Sequence, residues 1–541
     1  MRWHFAAIWE TIADAIPDAP ALAQGELRRS WREYEDRAAR IAAGMAAAGL
    51  GPDAKVCLYA YNSDAYLEAQ FGAFKIRGVP VNANYRYTEH ELIYLLDNAD
   101  AEALVFDAQF GGRVAAIRAQ LPKLKLLIEI DDGSGEHLNG AVGLEAMIAA
   151  NAPLPRQAYA EDDIYMLYTG GTTGMPKGVM YRQGEFSQAL LSGYDFRGLP
   201  RPTNREELVA AVQAIQTAGA APRSTPACPL MHGTGLWLGV IIPHQLGGCA
   251  VIFRNEHFDA GELWALVQRE KVTDLAIVGD AFARPMLNAL EAAKAAGKPY
   301  DVTSLKQIIS SGVMFSREVK EGLLSFADIT IIDGMGATEG GMATAVVSRE
   351  NPPGETAKFI ANATTKVFDE NDKEIAPGSD QIGMIANGGF TPVGYYKDAA
   401  KSAATFREID GHRYSFPGDF ARIAADGTLI LLGRGAVCIN TGGEKVFPEE
   451  VEEALKAHPD VEDCLVVGVP DERFGERVTA VLSARAGQGL DEAALTEFAR
   501  TRIADYKTPR QIIVVGEVRR APNGKADYKW AKSVALETVG R

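Results

Sequence analysis

One stretch of this chain, residues 167–179, reads Leu167-Tyr168-Thr169-Gly170-Gly171-Thr172-Thr173-Gly174-Met175-Pro176-Lys177-Gly178-Val179. Its glycines let backbone N–H groups turn toward a ligand, its threonines add hydroxyl donors, and its lysine adds a mobile cation. This combination favours a polyphosphate ligand, and a flexible surface hairpin is the alternative for such a loop. The nucleotide P-loop does not fit, because it needs Gly-Lys-Ser/Thr at the start of a helix and Pro176 blocks a helix start here.

The composition is that of a globular protein with more than one domain. A chain of 541 residues exceeds one ordinary core. No apolar run is long enough to cross a bilayer and no signal-peptide pattern is present, so a cytoplasmic protein is expected. Five scattered cysteines without a Cys-x-x-Cys pair argue against structural zinc and against a disulfide framework. The formal charge of −16 argues against a nucleic-acid partner but not against a small anionic ligand.

Helical and short apolar segments alternate along the first part of the chain, before and after the glycine-rich loop. This alternation predicts βαβ units, a mostly parallel sheet and an α/β fold. Residues 199–226, with their prolines and polar cluster, are interpreted as an insertion. From about residue 368, short strands with Gly/Asp turns predict an antiparallel β subdomain, and from about 435 a small α+β unit follows.

A second glycine-rich segment, residues 334–340, follows the predicted strand at 329–333. It fails the dinucleotide fingerprint because Glu339 stands where Gly-x-Gly-x-x-Gly needs glycine. Thr338 and Glu339 at a strand end can instead hold a hydroxyl near phosphate and a carboxylate on Mg²⁺. A glycine turn with a solvated glutamate is the alternative.

Four further segments carry chemistry only when they are taken together. Asp419 follows a turn, and its carboxylate could accept both hydroxyls of a ribose, with Arg434 beside it to complete a nucleoside site. The glycine-rich turn at 440–446 precedes a predicted helix near Pro448. Lys525 projects from a Pro-Asn-Gly turn near the end of the sequence, where a lone lysine is normally solvated.

In their order and spacing these segments resemble the adenylate-forming superfamily of acyl- and aryl-CoA synthetases, luciferases and peptide-synthetase adenylation domains. The resemblance covers nearly the whole chain. It implies an N-terminal AMP-binding domain at 1–434, built of stacked mixed sheets and helices with a β subdomain at about 368–434. It further implies a small mobile α+β C-terminal domain at 435–541.

The resemblance also implies a role for each motif residue. The loop would hold the β- and γ-phosphates of ATP through Thr169, Gly170, Gly171, Thr172, Thr173, Gly174 and Lys177. Glu339 would hold Mg²⁺, with Thr338 beside it, and Lys525 would contact the substrate carboxylate and the α-phosphate. Asp419 and Arg434 would bind ribose. Adenine would be bordered by Gly312, Val313, Asp333, Gly334, Met335 and Gly336, and the coenzyme A thiol would approach by Gly442, Gly443 and Lys445.

Three positions depart from the pattern of many relatives. Met335 replaces an adenine-stacking tyrosine, which implies a softer apolar contact. Pro417 replaces a threonine before Gly418-Asp419, so a hydroxyl is lost. Ala436 stands where the hinge often carries Asp or Lys, which puts in question how the two conformations are balanced.

The segment at 228–235 resembles the acyl-pocket wall of CoA ligases, with His232 and Gly235 as substrate-side residues. The apolar residues after it favour a fatty, branched or steroid side-chain acid over an amino acid. The leading hypothesis is an AMP-forming acyl-CoA ligase, an enzyme whose small-molecule partners are a carboxylic acid, ATP and coenzyme A. A homodimer is compatible with the sequence. The alternatives are a ligase that delivers its acyl group to a carrier-protein thiol, and a non-catalytic nucleotide-binding relative.

Overall fold

The structure is a computed structural model that describes residues 3–169, 175–254, 256–354, 358–441, 444–471, 475–485, 487–521 and 524–539. It contains three sheets. In the order of hydrogen-bonded neighbours, the large sheet consists of Leu27–Ser30, Pro20–Gln24, Cys249–Val251, Arg223–Pro226, Asp274–Ile277, Gln307–Ser311, Thr330–Ala337, Gly340–Val347, Lys358–Ala361, Thr428–Arg434, Asp419–Ile423, Gly383–Asn387, His412–Ser415 and Phe406–Ile409, with Thr365–Phe368 paired to Gly383–Asn387.

The second sheet is mostly parallel, with two antiparallel strands at one edge. Its strands, in spatial order, are Gly394–Tyr395, Lys177–Arg182, Ile164–Thr169, Val79–Asn82, Lys55–Tyr59, Ala101–Asp107, Leu126–Ile130 and Val142–Gly143. The third sheet lies in the C-terminal part and consists of Glu444–Val446, Ile439–Thr441, Gly475–Ala484, Val461–Asp471 and Gln511–Val515.

Helices cover the sheets on both faces, and their starts follow from local sequence. Ser30 and Glu33 form a capping box at the start of Trp31–Ala47, and Thr88 and Glu91 form another at Glu89–Asn98. The α-helices are Phe5–Ala15, Trp31–Ala47, Asp64–Lys75, Glu89–Asn98, Gly111–Ile117, Leu144–Ala150, Gln183–Ala189, Ser192–Asp195, Arg205–Thr217, Ile242–Gln245, Ala260–Glu270, Gly279–Ala295, Arg317–Phe326, Ala399–Thr405, Pro448–Lys456, Glu492–Arg500 and Tyr528–Val539. The 3₁₀ turns are Ala108–Phe110, Arg118–Gln120, Gly435–Val437 and Asp505–Lys507, and Thr234–Ile241 is a π-helix.

The main core lies between the two large sheets. Helices contribute much of this layer, among them Phe5–Ala15, Trp31–Ala47 and Asp64–Lys75, and their apolar side chains pack with residues from both sheets. Separate clusters cover the outer face of each sheet. The C-terminal part has its own small cores on either side of its sheet. This arrangement confirms the predicted α/β fold class.

The interpretation of residues 199–226 as an insertion is wrong. Arg223–Pro226 is an inner strand of the large sheet, parallel to both of its neighbours. The helix Arg205–Thr217 buries its apolar side against the first helix. The strand escaped prediction because it is polar, with Ser224 buried and its hydroxyl donating to the Gly239 carbonyl.

Two further observations concern the β-rich region and membranes. The strand predicted at 329–333 continues to Ala337, because it forms a hairpin with Gly340–Val347. The β-rich strands begin at Lys358, before residue 368, and continue the large sheet rather than forming a separate one. Over the described ranges, every helix is too short or too polar to cross a bilayer. The predicted domain boundaries stay a prediction.

Candidate active site

The glycine-rich loop connects two antiparallel strands, Ile164–Thr169 and Lys177–Arg182, with Thr169 opposite Lys177. The predicted loop residues Gly170, Gly171, Thr172, Thr173 and Gly174 lie outside the described residues. Lys177 is the first residue of the second of these strands and is not part of a helix. Its Nζ donates to Asp398 Oδ2 at 2.8 Å and lies 5.6 Å from the ring centre of Tyr395. The ammonium is thus held beside the loop by a residue far along the chain.

Thr338 and Glu339 occupy the tight turn between Thr330–Ala337 and Gly340–Val347. The Tyr395 hydroxyl donates to Glu339 Oε1 at 2.5 Å, and the Tyr181 hydroxyl donates to the Thr338 carbonyl. Burial raises the pKa of Tyr395 above its usual range, so the hydroxyl stays a donor. Both tyrosines belong to the second sheet, so the turn is fastened to the sheet that carries the glycine-rich loop.

The donor set at Glu339 fits a Mg²⁺ ion delivered with a nucleotide. In the described part of the chain, no three His, Cys, Asp or Glu side chains cluster as a metal site. Mg²⁺ is commonly held by one or two carboxylates together with substrate phosphates and water. A single carboxylate, held in place by the Tyr395 hydroxyl, therefore suits this ion.

A cleft opens between the large sheet and the C-terminal part. Its apolar wall is formed by Met335, Met342, Phe359 and Leu431, and such a surface suits a planar base. Seven residues that the sequence assigned to a nucleotide line this one cleft: Gly312, Val313, Asp333, Gly334, Met335, Gly336 and Asp419. The structure therefore brings together segments that are separated by more than 100 residues.

Asp419 is the first residue of its strand and is 8% exposed. Gly418, directly before it, has φ of +100°, which favours glycine in this turn. Arg434 is the backbone partner of Asp419 on the neighbouring strand, although its side chain lies outside the described residues. The register alone places the two residues side by side.

Asp333 forms a buried ion pair with Lys320 on the helix Arg317–Phe326. Lys320 Nζ donates to Asp333 Oδ2 at 2.6 Å, and the two side chains are 8% and 5% exposed. Burial raises the pKa of Asp333, and the charge of Lys320 opposes that rise. The end of the cleft where the sequence predicts the base therefore carries a paired carboxylate.

Lys525 enters the same cleft from the C-terminal part. Arg520 holds its turn in place, because the guanidinium donates to both oxygens of Asp463 at 2.6 and 2.7 Å and to the Gly524 carbonyl at 3.1 Å. Gly524 is buried, and a Cβ added there would lie 2.6 Å from the Cβ of Ala281. The turn that carries Lys525 thus rests directly on the helix Gly279–Ala295.

His232 belongs to the segment before the π-helix Thr234–Ile241. Its Nε2 is shielded from solvent and has no hydrogen-bond partner among the residues that the structure describes. Burial and, to a lesser extent, the charge of Lys525 lower the pKa of His232 to about 3, so the imidazole is neutral. A Cβ added at Gly235 would lie 2.3 Å from the Pro229 carbonyl oxygen, so only glycine fits that position.

Two asparagines that the sequence analysis missed hold this segment, and one of them ties it to the strand Ile164–Thr169. Asn82 donates to the carbonyls of Tyr168 and Met231, at 2.9 and 2.6 Å, and accepts from the Tyr168 N–H. Asn62 accepts from the Leu230 N–H at 2.7 Å. Each is a lone amide within or just after a buried strand, and no motif marked it.

The structure leaves part of the predicted site undescribed. Gly442 and Gly443 lie outside the described residues, and so does the side chain of Lys445, whose backbone belongs to the strand Glu444–Val446. The partners Tyr395, Asp398 and Lys320 were also missed. For Tyr395 and Asp398 a signal existed, because the run Gly394-Tyr395-Tyr396-Lys397-Asp398 places a turn acid among aromatic residues.

Comparison with known proteins gives consistent matches over the whole chain. Residues 9–394 match the family model described as AMP-binding enzyme, and residues 450–525 match the AMP-binding enzyme C-terminal domain. The 3-oxocholest-4-en-26-oate–CoA ligase of Rhodococcus rhodochrous is 41% identical over 98% of this chain and 96% of its own length. A medium/long-chain-fatty-acid–CoA/3-oxocholest-4-en-26-oate–CoA ligase of Mycolicibacterium smegmatis is 40% identical over 99% and 97%.

Among solved structures, the anthranilate CoA ligase AuaEII in complex with anthranoyl-AMP has a similar fold. It superposes with a TM-score of 0.85 at 22% identity, covering 100% of this chain and 99% of that chain. These matches confirm the resemblance that the motifs predicted.

Proposed function

The chain belongs to the AMP-binding enzyme family, and from this premise we propose that it is an ATP-dependent acyl-CoA ligase acting on a fatty, branched or steroid side-chain carboxylic acid. The observation that carries the proposal is the cleft in which Lys525 meets Asp333 and Asp419. Lys525 from the C-terminal lobe thereby faces the apolar wall of the large sheet, a surface that suits a nucleoside. Relatives at 40–41% identity are named as ligases of such acids.

The chemistry explains why these residue types meet. The substrate carboxylate attacks the α-phosphorus of ATP, the bond to the β-phosphate breaks, and acyl-AMP and pyrophosphate form. Two anions approach each other in this step, so a positioned ammonium lowers the barrier by electrostatic stabilisation. Lys525 supplies that charge, and Lys177 with the glycine-rich loop holds the departing phosphates. The thiol of coenzyme A then displaces AMP to give the thioester.

Glu339 is the residue that would hold Mg²⁺, which neutralises phosphate charge when it is bound with the nucleotide. The chain contributes the orientation of that carboxylate, because the Tyr395 hydroxyl donates to it at 2.5 Å. This hydrogen bond fixes the orientation of the carboxylate that would hold the cation.

An apolar acyl substrate fits the surroundings of His232. The imidazole is neutral, and the π-helix that follows presents buried or partly buried Leu236, Trp237 and Leu238. Trp237 donates to the Tyr165 hydroxyl at 3.0 Å, so its polar edge is satisfied within the protein. These residues favour a hydrocarbon chain or ring over an amino acid.

The proposal also includes a cytoplasmic location and a homodimeric assembly. Cys57, Cys228, Cys249 and Cys464 are buried as thiols, as a reducing cytoplasm would keep them. A homodimer stays a prediction, which light scattering would test.

The test is acid-dependent pyrophosphate release over a panel of fatty, aromatic and steroid side-chain acids, with and without coenzyme A. We expect release with medium- to long-chain or steroid acids, and thioester when coenzyme A is present. Release without thioester would favour delivery to a carrier-protein thiol. No release from any acid would favour a non-catalytic nucleotide-binding protein.

A further inference from the structure

A short chain of buried charges lies beneath the base end of the cleft. Lys320 donates to Asp333 Oδ2 at 2.6 Å, and its Nζ is 5.1 Å from the ring centre of Phe315. Asp280, paired with Arg284 at 3.4 Å, lies near enough for its charge to act on Asp333. Within the described part of the chain, Lys320 is the cation that contacts Asp333.

Resting on the proposed use of ATP, we propose that Lys320 is a positioning residue that keeps the Asp333 carboxylate charged and fixed at the base end of the cleft, so that the enzyme selects a 6-amino purine over a 6-oxo purine. Asp333 lines the cleft, whereas Lys320 lies behind it and does not. Lys320 therefore acts on the nucleotide only through Asp333.

The selection follows from hydrogen-bonding capacity. An ionised carboxylate only accepts hydrogen bonds, and the 6-amino group of adenine donates one. A 6-oxo purine places a carbonyl oxygen at the same point, so two acceptors would face each other. A buried acceptor that loses its partner is costly, and sites built around such a bond discriminate strongly.

The role of Lys320 follows from the burial of the pair. Burial alone would favour the protonated carboxyl, which can donate as well as accept and would tolerate either purine. The negative charge of Asp280 also favours protonated Asp333, because two like charges repel each other. Arg284 forms its ion pair with Asp280. Lys320 opposes both effects and also fixes Oδ2.

The experiment compares kcat/KM for ATP and for inosine triphosphate in acid-dependent pyrophosphate release. For the wild type we expect a preference for ATP of at least ~10²-fold. Lys320→Met should reduce that preference by ~10-fold near neutral pH, and further as the pH is lowered, because protonated Asp333 can donate to a 6-oxo group. Lys320→Arg should retain the preference. Lys294→Met is the matched control, because Lys294 also lies over a ring, that of Phe326, but is exposed.

An equal loss of kcat/KM for both nucleotides in Lys320→Met, with no change in its pH profile, would show a merely structural role and overturn the inference. If Lys320→Met does not fold, Lys320→Gln removes the charge and keeps a donor, and the same ratio decides. A wild type without acid-dependent pyrophosphate release would refute the proposed function instead. Calorimetric binding of ATP and inosine triphosphate to that protein would then decide the inference separately.

Discussion

Substitution of Gly524 by alanine tests whether adenylation needs the C-terminal lobe seated as it is here. Gly524 has φ of +73°, and it precedes the lysine that enters the cleft. A Cβ at this position would lie 2.6 Å from Ala281 Cβ and 3.5 Å from the Val278 carbonyl oxygen. The first distance is about 1 Å shorter than a favourable carbon–carbon contact of ~3.5–4.0 Å.

The expected size of the effect follows from that overlap. Overpacking of this kind costs roughly 1–3 kcal/mol. If the cost applies only while the lobes are seated, adenylation slows by about 5- to 150-fold, because ~1.4 kcal/mol corresponds to tenfold in rate. The left-handed backbone adds about 1–2 kcal/mol, but it does so in every arrangement of the lobes. It therefore lowers stability without singling out one step.

Two half-reactions separate these contributions. Exchange of labelled pyrophosphate into ATP reports adenylation, and thioester formation from supplied acyl-AMP and coenzyme A reports the second step. We expect exchange to fall by ~10- to 10²-fold and thioester formation to change by less than ~3-fold. Gly487→Ala is the matched control, since Gly487 has φ of +80° and no atom of the described residues lies within 4 Å of an added Cβ.

A rescue variant sharpens the test. Ala281→Gly removes the methyl group that would be struck, so the double variant should recover most of the lost exchange rate. Coupling between two residues in contact is the signature that a double-mutant cycle detects. Equal slowing of both half-reactions, or no recovery in the double variant, would refute the idea that adenylation depends on this contact.

Three further predictions concern charge and protonation. Lys525→Ala should slow adenylation by at least ~10²-fold, the usual scale for losing one transition-state charge contact, and an unchanged exchange rate would remove Lys525 from the mechanism. Tyr395→Phe should raise the Mg²⁺ concentration needed for half-maximal exchange by ~10-fold, about 1.4 kcal/mol for one lost charge-assisted hydrogen bond, and an unshifted Mg²⁺ titration would contradict this. Burial lowers the pKa of His244 to about 4, below an unfolded value of ~6.5, so stability is lost as the pH falls below 6.5, by about 2 kcal/mol at pH 5. Denaturant unfolding of His244→Gln should show a shallower loss over that range, and equal slopes would contradict the assignment.

Much of the fold could be predicted because its central strands are buried on both faces. The strands Lys55–Tyr59 and Asp274–Ile277 are entirely buried, and both read as the largely apolar runs that indicate a parallel sheet. Arg223–Pro226 is also an inner strand of its sheet, but its sequence is polar. The Ser224 hydroxyl donates to the Gly239 carbonyl. Hydrophobic periodicity carries no information about such a strand, so the sequence analysis missed it.

In the candidate site, too, the residues of local motifs could be predicted, whereas residues that act through distant contacts could not. Glycines, threonines and charges that act together within one loop leave a motif, and the structure brings Asp333, Asp419 and Lys525 to one cleft. The residues that position the groups of the site leave no motif, because their contacts join elements that are far apart in the sequence. Tyr395 reaches Glu339 across 56 positions, and Asn82 reaches Met231 across 149.

The position of Lys525 depends on two kinds of contact with different consequences. Within the C-terminal lobe, Arg520 clamps the turn to Asp463, so the lysine is fixed relative to its own sheet. Between the lobes, Gly524 rests on Ala281. These contacts hold the backbone of the turn, so we infer that the largest displacement of the Lys525 charge occurs when the lobe itself moves. Variants at Asp463 should therefore misplace the lysine in both half-reactions, whereas variants at Gly524 should affect only the seated arrangement.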